Sequence, residues 1–136
     1  MLQKFKVHNF KNFKNDLEID FSDVNGYKFS QDCITNDLIG KMIIYGKNGS
    51  GKTNLGYALC DLKATLGFSP EINTLHSFIS NADSDSDITT FTYTFLFNQK
   101  KDTAVYEYSK SDMVNLASEK LSVNNHVLYE YNFKEN

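Results

Sequence analysis

Phe5 and Val7 alternate with polar neighbours, and Leu17, Ile19 and Phe21 repeat that alternation beyond a turn rich in Asn and Lys. This period of two predicts a pair of short strands closed into a hairpin over residues 1–21. Over 22–40 the pattern dissolves into Asp, Asn, Ser and Gly with scattered apolar positions, which predicts a long connection holding at most one further strand. Met42, Ile43, Ile44 and Tyr45 then form an unbroken apolar run ending at Gly46. Such a run suits a strand buried on both faces of a sheet. From Lys52 the period turns helical, with Leu55, Ala58, Leu59, Leu62 and Leu66 on one stripe and Gly67 as a cap.

A second helix is predicted from Ser69-Pro70-Glu71, with Ile72, Leu75, Phe78 and Ile79 as its apolar face. Asn81 to Asp87 reads as an acidic loop. Residues 89–98 and 103–109 are rich in Thr, Tyr and Phe around a polar turn, a hairpin signal. Residues 113–123 and 127–133, parted by Asn124-Asn125, predict a second hairpin, with a short helix over 113–121 as the alternative. No repeat or flexible linker divides the chain, so residues 1–136 are expected to be a single domain.

The 136 residues are 40% apolar and 23% charged, enough apolar material for a core and far from the composition of a disordered chain. No apolar run approaches the ~18 residues needed to span a bilayer, and no signal region follows Lys4 and Lys6. The expectation is a cytoplasmic protein with no membrane partner, its Cys33 and Cys60 reduced. All 14 basic residues are Lys, the net charge is −3, and no dense Lys cluster occurs. The footprint of a stand-alone nucleic-acid binder is therefore missing, as is any arginine finger.

One octet carries chemistry. Gly46-Lys47-Asn48-Gly49-Ser50-Gly51-Lys52-Thr53 matches GxxxxGK[ST], the Walker A phosphate loop, in full. It lies between the apolar run and the helical stripe, where a loop that feeds phosphate into a helix start belongs. Gly46, Gly49 and Gly51 leave the backbone bare, so that successive amides form an anion nest at the positive end of the helix dipole. Lys52 is expected to reach the β- and γ-phosphates, and the Thr53 hydroxyl to ligate Mg²⁺. Lys47, Asn48 and Ser50 offer backbone amides, and Asn54 directly follows the motif as a further binding candidate. A glycine-rich turn without a ligand is the bland alternative, but such a turn has no use for Lys-Thr in that register.

With these residues in view, the stretch KFKVHNFKNF, LEIDF and IIYGKNGSGKTNLGYAL resembles the amino-terminal part of the ABC-type heads of SMC, RecF and related AAA-family ATPases. The tail YEYSKSDMVNLASEKL…VLYEYN is similar to the β-lobe of the same group, especially the ATPases of bacterial phage-defence systems. The resemblance implies an α/β P-loop NTPase fold: a mixed sheet, the Walker A helix and an antiparallel β-subdomain, together forming the front lobe of a longer ATPase. It implies ATP and Mg²⁺ as cofactors, and the remainder of the head or a second copy as a nucleotide-dependent partner. Contact with DNA or an effector protein would come from parts outside this chain. It also makes Lys11, the basic residue of Asn9-Phe10-Lys11-Asn12-Phe13, a candidate for the phosphates, although the family often carries Arg there.

Hydrolysis in that family needs four apolar residues followed by Asp-Glu, and no such segment exists here. An LSGG-like signature and a switch histidine are missing too, so no catalytic residue is assigned and no turnover by this segment alone is expected. Gln99 reads as a hairpin-turn residue. His8, His76 and His126 lack ligand spacing, and Asp83, Asp85 and Asp87 lack the glycine and distal glutamate of an EF-hand. Two other readings stay open: a small kinase or GTPase, which would want an Arg-rich lid or an NKxD motif, and a non-catalytic module that keeps nucleotide as a structural ligand.

Overall fold

The computed structural model describes residues 1–67, 79–97, 99 and 101–133. Six strands form one sheet in the order β2-β1-β5-β6-β7-β8: β1 Leu2–His8, β2 Leu17–Asp20, β5 Thr89–Phe97, β6 Asp102–Lys110, β7 Leu116–Val123 and β8 His126–Asn132. Every pairing in it is antiparallel. Between β2 and the helix, a one-turn 3-10 helix (Gln31–Cys33) leads into a two-stranded ribbon of β3 (Ile34–Thr35) and β4 (Leu38–Ile39). Helix α1, Lys52–Leu66, is the only α-helix among the described residues.

The expected α/β P-loop fold is overturned by this arrangement. No parallel pair exists in the sheet, and the apolar run before the glycines forms no strand: Ile43 is 90% and Tyr45 91% exposed. A strand buried on both faces needs a neighbour on each side and cover above and below. Here the six-stranded sheet is completed without residues 42–45, which pair with none of its strands. β1 and β2 also join β5–β8 in one sheet, so the antiparallel strands are no separate subdomain. The second helix expected from Ser69, with Ile72, Leu75 and Phe78, lies outside the described residues. Its terminal Ile79 is buried.

The strand alternation decides which face the helix covers. One row across the sheet runs Phe5, Tyr93, Tyr106, Leu121, Tyr129, and the next runs Val7, Phe91, Tyr108, Glu119, Tyr131. On the opposite face Thr92, Glu107, Lys120 and Glu130 stand in register, with Lys120 and Glu130 paired at 3.0 Å. One face is apolar and aromatic, the other polar, as an antiparallel sheet with one wet side requires. The rings interlock, with Phe5–Tyr93 and Phe91–Tyr108 centroids each 5.1 Å apart and Phe10 edge-on to Phe91 at 5.5 Å.

Helix α1 lies on this face through Ala58, which is fully buried, with Leu55, Leu59 and Leu62 packed around it. Three polar groups fasten it. The Tyr93 hydroxyl donates to the Ala58 carbonyl at 2.8 Å, the Tyr108 hydroxyl donates to Asp61 Oδ2 at 2.8 Å, and Lys110 Nζ pairs with that carboxylate at 2.9 Å. Asp61 is 5% and Lys110 1% exposed. Asp61, which is not on the apolar stripe, thus faces inward, whereas Leu66 at the end of the stripe is 63% exposed.

Asn124 and Asn125 both have positive φ (49° and 64°), the backbone of a tight two-residue hairpin turn, and the helix alternative for 113–121 is not adopted. Gln99 sits in the β5–β6 turn with φ 53°. Both cysteines are free. No helix among the described residues is long and apolar enough to cross a membrane.

Removing one partner of the buried pair strands the other charge, so Lys110→Ala or Asp61→Ala should each cost about 3–5 kcal/mol, read from urea midpoints at fixed slope. Burial, the leading cause in each case, raises the hydroxyl pKa of Tyr93, Tyr106 and Tyr108 above the ordinary value near 10. The folded chain therefore keeps protons that the unfolded chain releases above about pH 10. Stability should fall as pH rises beyond that point, and tyrosinate absorbance should show these three ionising only together with unfolding.

Candidate phosphate-binding loop

Residues 46–51 lead from the exposed apolar run into α1. Gly49 and Gly51 have φ of +79° and +91°, a region where a side chain is strained, and Gly51 is the residue that caps the helix. Helix hydrogen bonding starts with the Leu55 amide on the Gly51 carbonyl at 2.9 Å. The amides of Lys52, Thr53 and Asn54 consequently have no carbonyl one turn behind them, and no side chain caps them. The first turn holds no acidic residue, which leaves the positive end of the dipole uncompensated.

Lys52 closes the loop on itself. Its Nζ donates to the carbonyls of Gly46 at 2.7 Å and Lys47 at 2.8 Å, drawing the first residues of the octet over the start of the helix. The Ser50 amide adds a turn bond to the Lys47 carbonyl at 3.2 Å. A β-carbon built on Gly46 would stand 3.0 Å from Ser50 Oγ, whereas one on Gly49 would meet nothing within 4 Å. Asn48, Gly49 and Ser50 are exposed, as is Thr53 in the first turn. The donor set is bare amides, an ammonium group and a hydroxyl. That set fits a polyanion accompanied by a hard cation, and Lys52, Thr53 and the loop amides are the residues that would hold them.

The opening hairpin reaches this corner through Asn12, a turn residue with no phosphate-binding signal of its own. Asn54 Nδ2 donates to Asn12 Oδ1 at 2.7 Å, and Asn12 Nδ2 lies 2.2 Å from where a β-carbon on Gly51 would stand. Asn54 is therefore turned toward the hairpin. Lys11 is placed differently: its amide donates to the Ile79 carbonyl and its Nζ lies 5.7 Å from the Phe10 ring centre, where partial burial lowers its pKa. The contact between hairpin and loop–helix junction is thus made by Asn12, one residue beyond the basic position. The only signal for it in the chain is its neighbourhood in the Asn-rich turn, since Asn12 and Asn54 are 42 residues apart.

Compared with protein-family models and with curated proteins, the chain shows no match to either.

The geometry ranks three substitutions by stability. Gly51→Ala meets both left-handed strain and the Asn12 carboxamide, and should cost about 2 kcal/mol or more; Gly49→Ala meets strain alone, about 1 kcal/mol. Gly46→Ala meets only a hydroxyl that can rotate away, and should cost least. Thermal unfolding of the three variants would check the order.

Proposed function

We propose that residues 46–53 bind a nucleoside triphosphate, ATP in the first place, together with Mg²⁺, and that this chain holds the nucleotide without hydrolysing it alone. The observation that carries this reading is a full Walker A octet seated at a helix start that no side chain caps, with its lysine already drawn over the loop. The chain amides of Gly49, Gly51, Lys52 and Thr53 would face the phosphates. Lys52 would exchange two neutral carbonyl partners for charged phosphate oxygens, a stronger class of hydrogen bond. Thr53 would offer its hydroxyl to Mg²⁺, whose bound charge would neutralise the β- and γ-phosphates.

The chain has no NKxD motif to favour guanine, and no apolar run ending in Asp-Glu to supply a water-positioning carboxylate. The resemblance to SMC- and RecF-like ATPases supports adenine and a role in an ATPase of DNA-repair or anti-phage type. In that reading a second copy or a hydrolytic half from outside residues 1–136 supplies turnover. The six-stranded antiparallel sheet is not the α/β fold of that group, so the loop alone supports the assignment.

Titration calorimetry with ATP and GTP tests the reading. ATP should bind in a manner weakened by salt, and Lys52→Ala should lower its affinity about 10- to 100-fold through loss of a charge-assisted contact. Released phosphate should stay at background. Equal binding by wild type and Lys52→Ala, or multiple turnover by the isolated chain, would refute it.

A further inference from the structure

The turn between β1 and β2 is fastened far more tightly than its exposure suggests. Asn9 is fully buried; its Nδ2 donates to the carbonyls of Ser86 at 2.8 Å and Ile88 at 2.9 Å, and its Oδ1 accepts from the Asn81 amide at 3.1 Å. The Asn9 carbonyl accepts from the Thr89 hydroxyl at 2.7 Å. Asn81 Nδ2 in turn donates to the Lys11 carbonyl, and Phe10 and Phe13 exchange main-chain bonds at 2.8 and 2.7 Å. Two residues of the turn, Asn9 and Lys11, hold left-handed backbone (φ 54° and 48°). Such strain persists only where the surroundings over-determine it.

What this fixed turn presents outward is Asn12. Its oxygen is engaged by Asn54, which sets the rotation of the carboxamide and lays Nδ2 against Gly51. Gly51 is the left-handed corner from which the Lys52 and Thr53 amides project. The absence of a side chain there is thus matched by a polar group from another element that fills the space.

Resting on the reading of residues 46–53 as a polyphosphate loop, we propose that Asn12 is a positioning residue of that loop. Its carboxamide braces the Gly51 corner, so the amides that follow stay aimed at phosphate. Its neutral nitrogen also keeps negative charge away from the approach to the anion. The Asn9 network supplies the rigidity, and Asn54 supplies the orientation.

The experiment uses the 136-residue chain, titrated with Mg-ATP, Mg-ADP and AMP. Its variants are Asn12→Ala, Asn54→Ala, their combination, and Asn12→Asp. Asn12→Ala and Asn54→Ala should each raise the Kd for ATP about 3- to 10-fold, the loss expected for one oriented hydrogen bond. The double variant should be no worse than the poorer single one, because the two act as a unit. Asn12→Asp still accepts from Asn54 but sets a carboxylate oxygen against the loop. It should weaken ATP most, ADP less and AMP least, and its deficit against wild type should shrink as salt rises.

Asn12 is exposed, so melting temperatures should hardly move. Unchanged affinities in Asn12→Ala and Asn12→Asp, with ATP bound by wild type, would overturn the proposal and leave the loop reading standing. Equal losses for ATP, ADP and AMP in Asn12→Asp would overturn it too, because a general scaffold role does not sense phosphate charge. Failure of wild type to bind any of the three would fell the loop reading, and this proposal with it.

Discussion

The carboxylate of Asp61 holds helix α1 to the sheet, and the position of the glycine loop depends on that attachment. Apolar packing through Ala58 would let α1 slide along an aromatic surface whose rings offer many similar seats. The Asp61 pair with Lys110 and its bond from Tyr108 leave one register in which both charges are satisfied, and the Tyr93 hydroxyl on the Ala58 carbonyl adds a second fixed point. Buried ionic groups are costly unless paired, and directional once paired. With the helix pinned at Ala58 and Asp61, the place of Lys52 and Thr53 relative to the opening hairpin is set as well.

Much of the local structure was legible in the chain, because each element answers to a period or a turn residue. The alternation at Phe5, Val7, Leu17 and Ile19 gives β1 and β2, the Thr- and Tyr-rich runs give β5 and β6, and Asn124-Asn125 gives the last hairpin. The stripe from Leu55 to Leu62 gives α1. The exception is Met42 to Tyr45, an apolar run whose pattern predicts an interior strand and which forms none. Periodicity reports what a segment would bury, and whether neighbours exist to bury it is a property of the whole sheet.

The site shows the same division. The octet is contiguous, so its composition alone announces the loop, its glycines and its lysine. Asn12, Asn9 and Asp61 carry no such signal, because an Asn in a turn and an Asp in a helix ordinarily face water. Their partners, Asn54, Asn81 and Lys110, lie 42, 72 and 49 residues away in sequence. No spacing rule connects such pairs, and only the folded chain brings them together.

Among the described residues, nine other than glycine turn the backbone into the left-handed region, and five of them are Asn: Asn9, Asn25, Asn36, Asn124 and Asn125. Corners are therefore rounded by side chains that tolerate that conformation, while three of the chain's seven glycines gather within six residues at 46, 49 and 51. The two kinds of bend differ in how they withstand genetic drift. A corner at 25, 36 or 124 accepts Gly, Asp or Asn with little change in shape. Gly51 has no such latitude, because a β-carbon there would fall 2.2 Å from the Asn12 carboxamide nitrogen, in space already taken by a side chain from the opening hairpin.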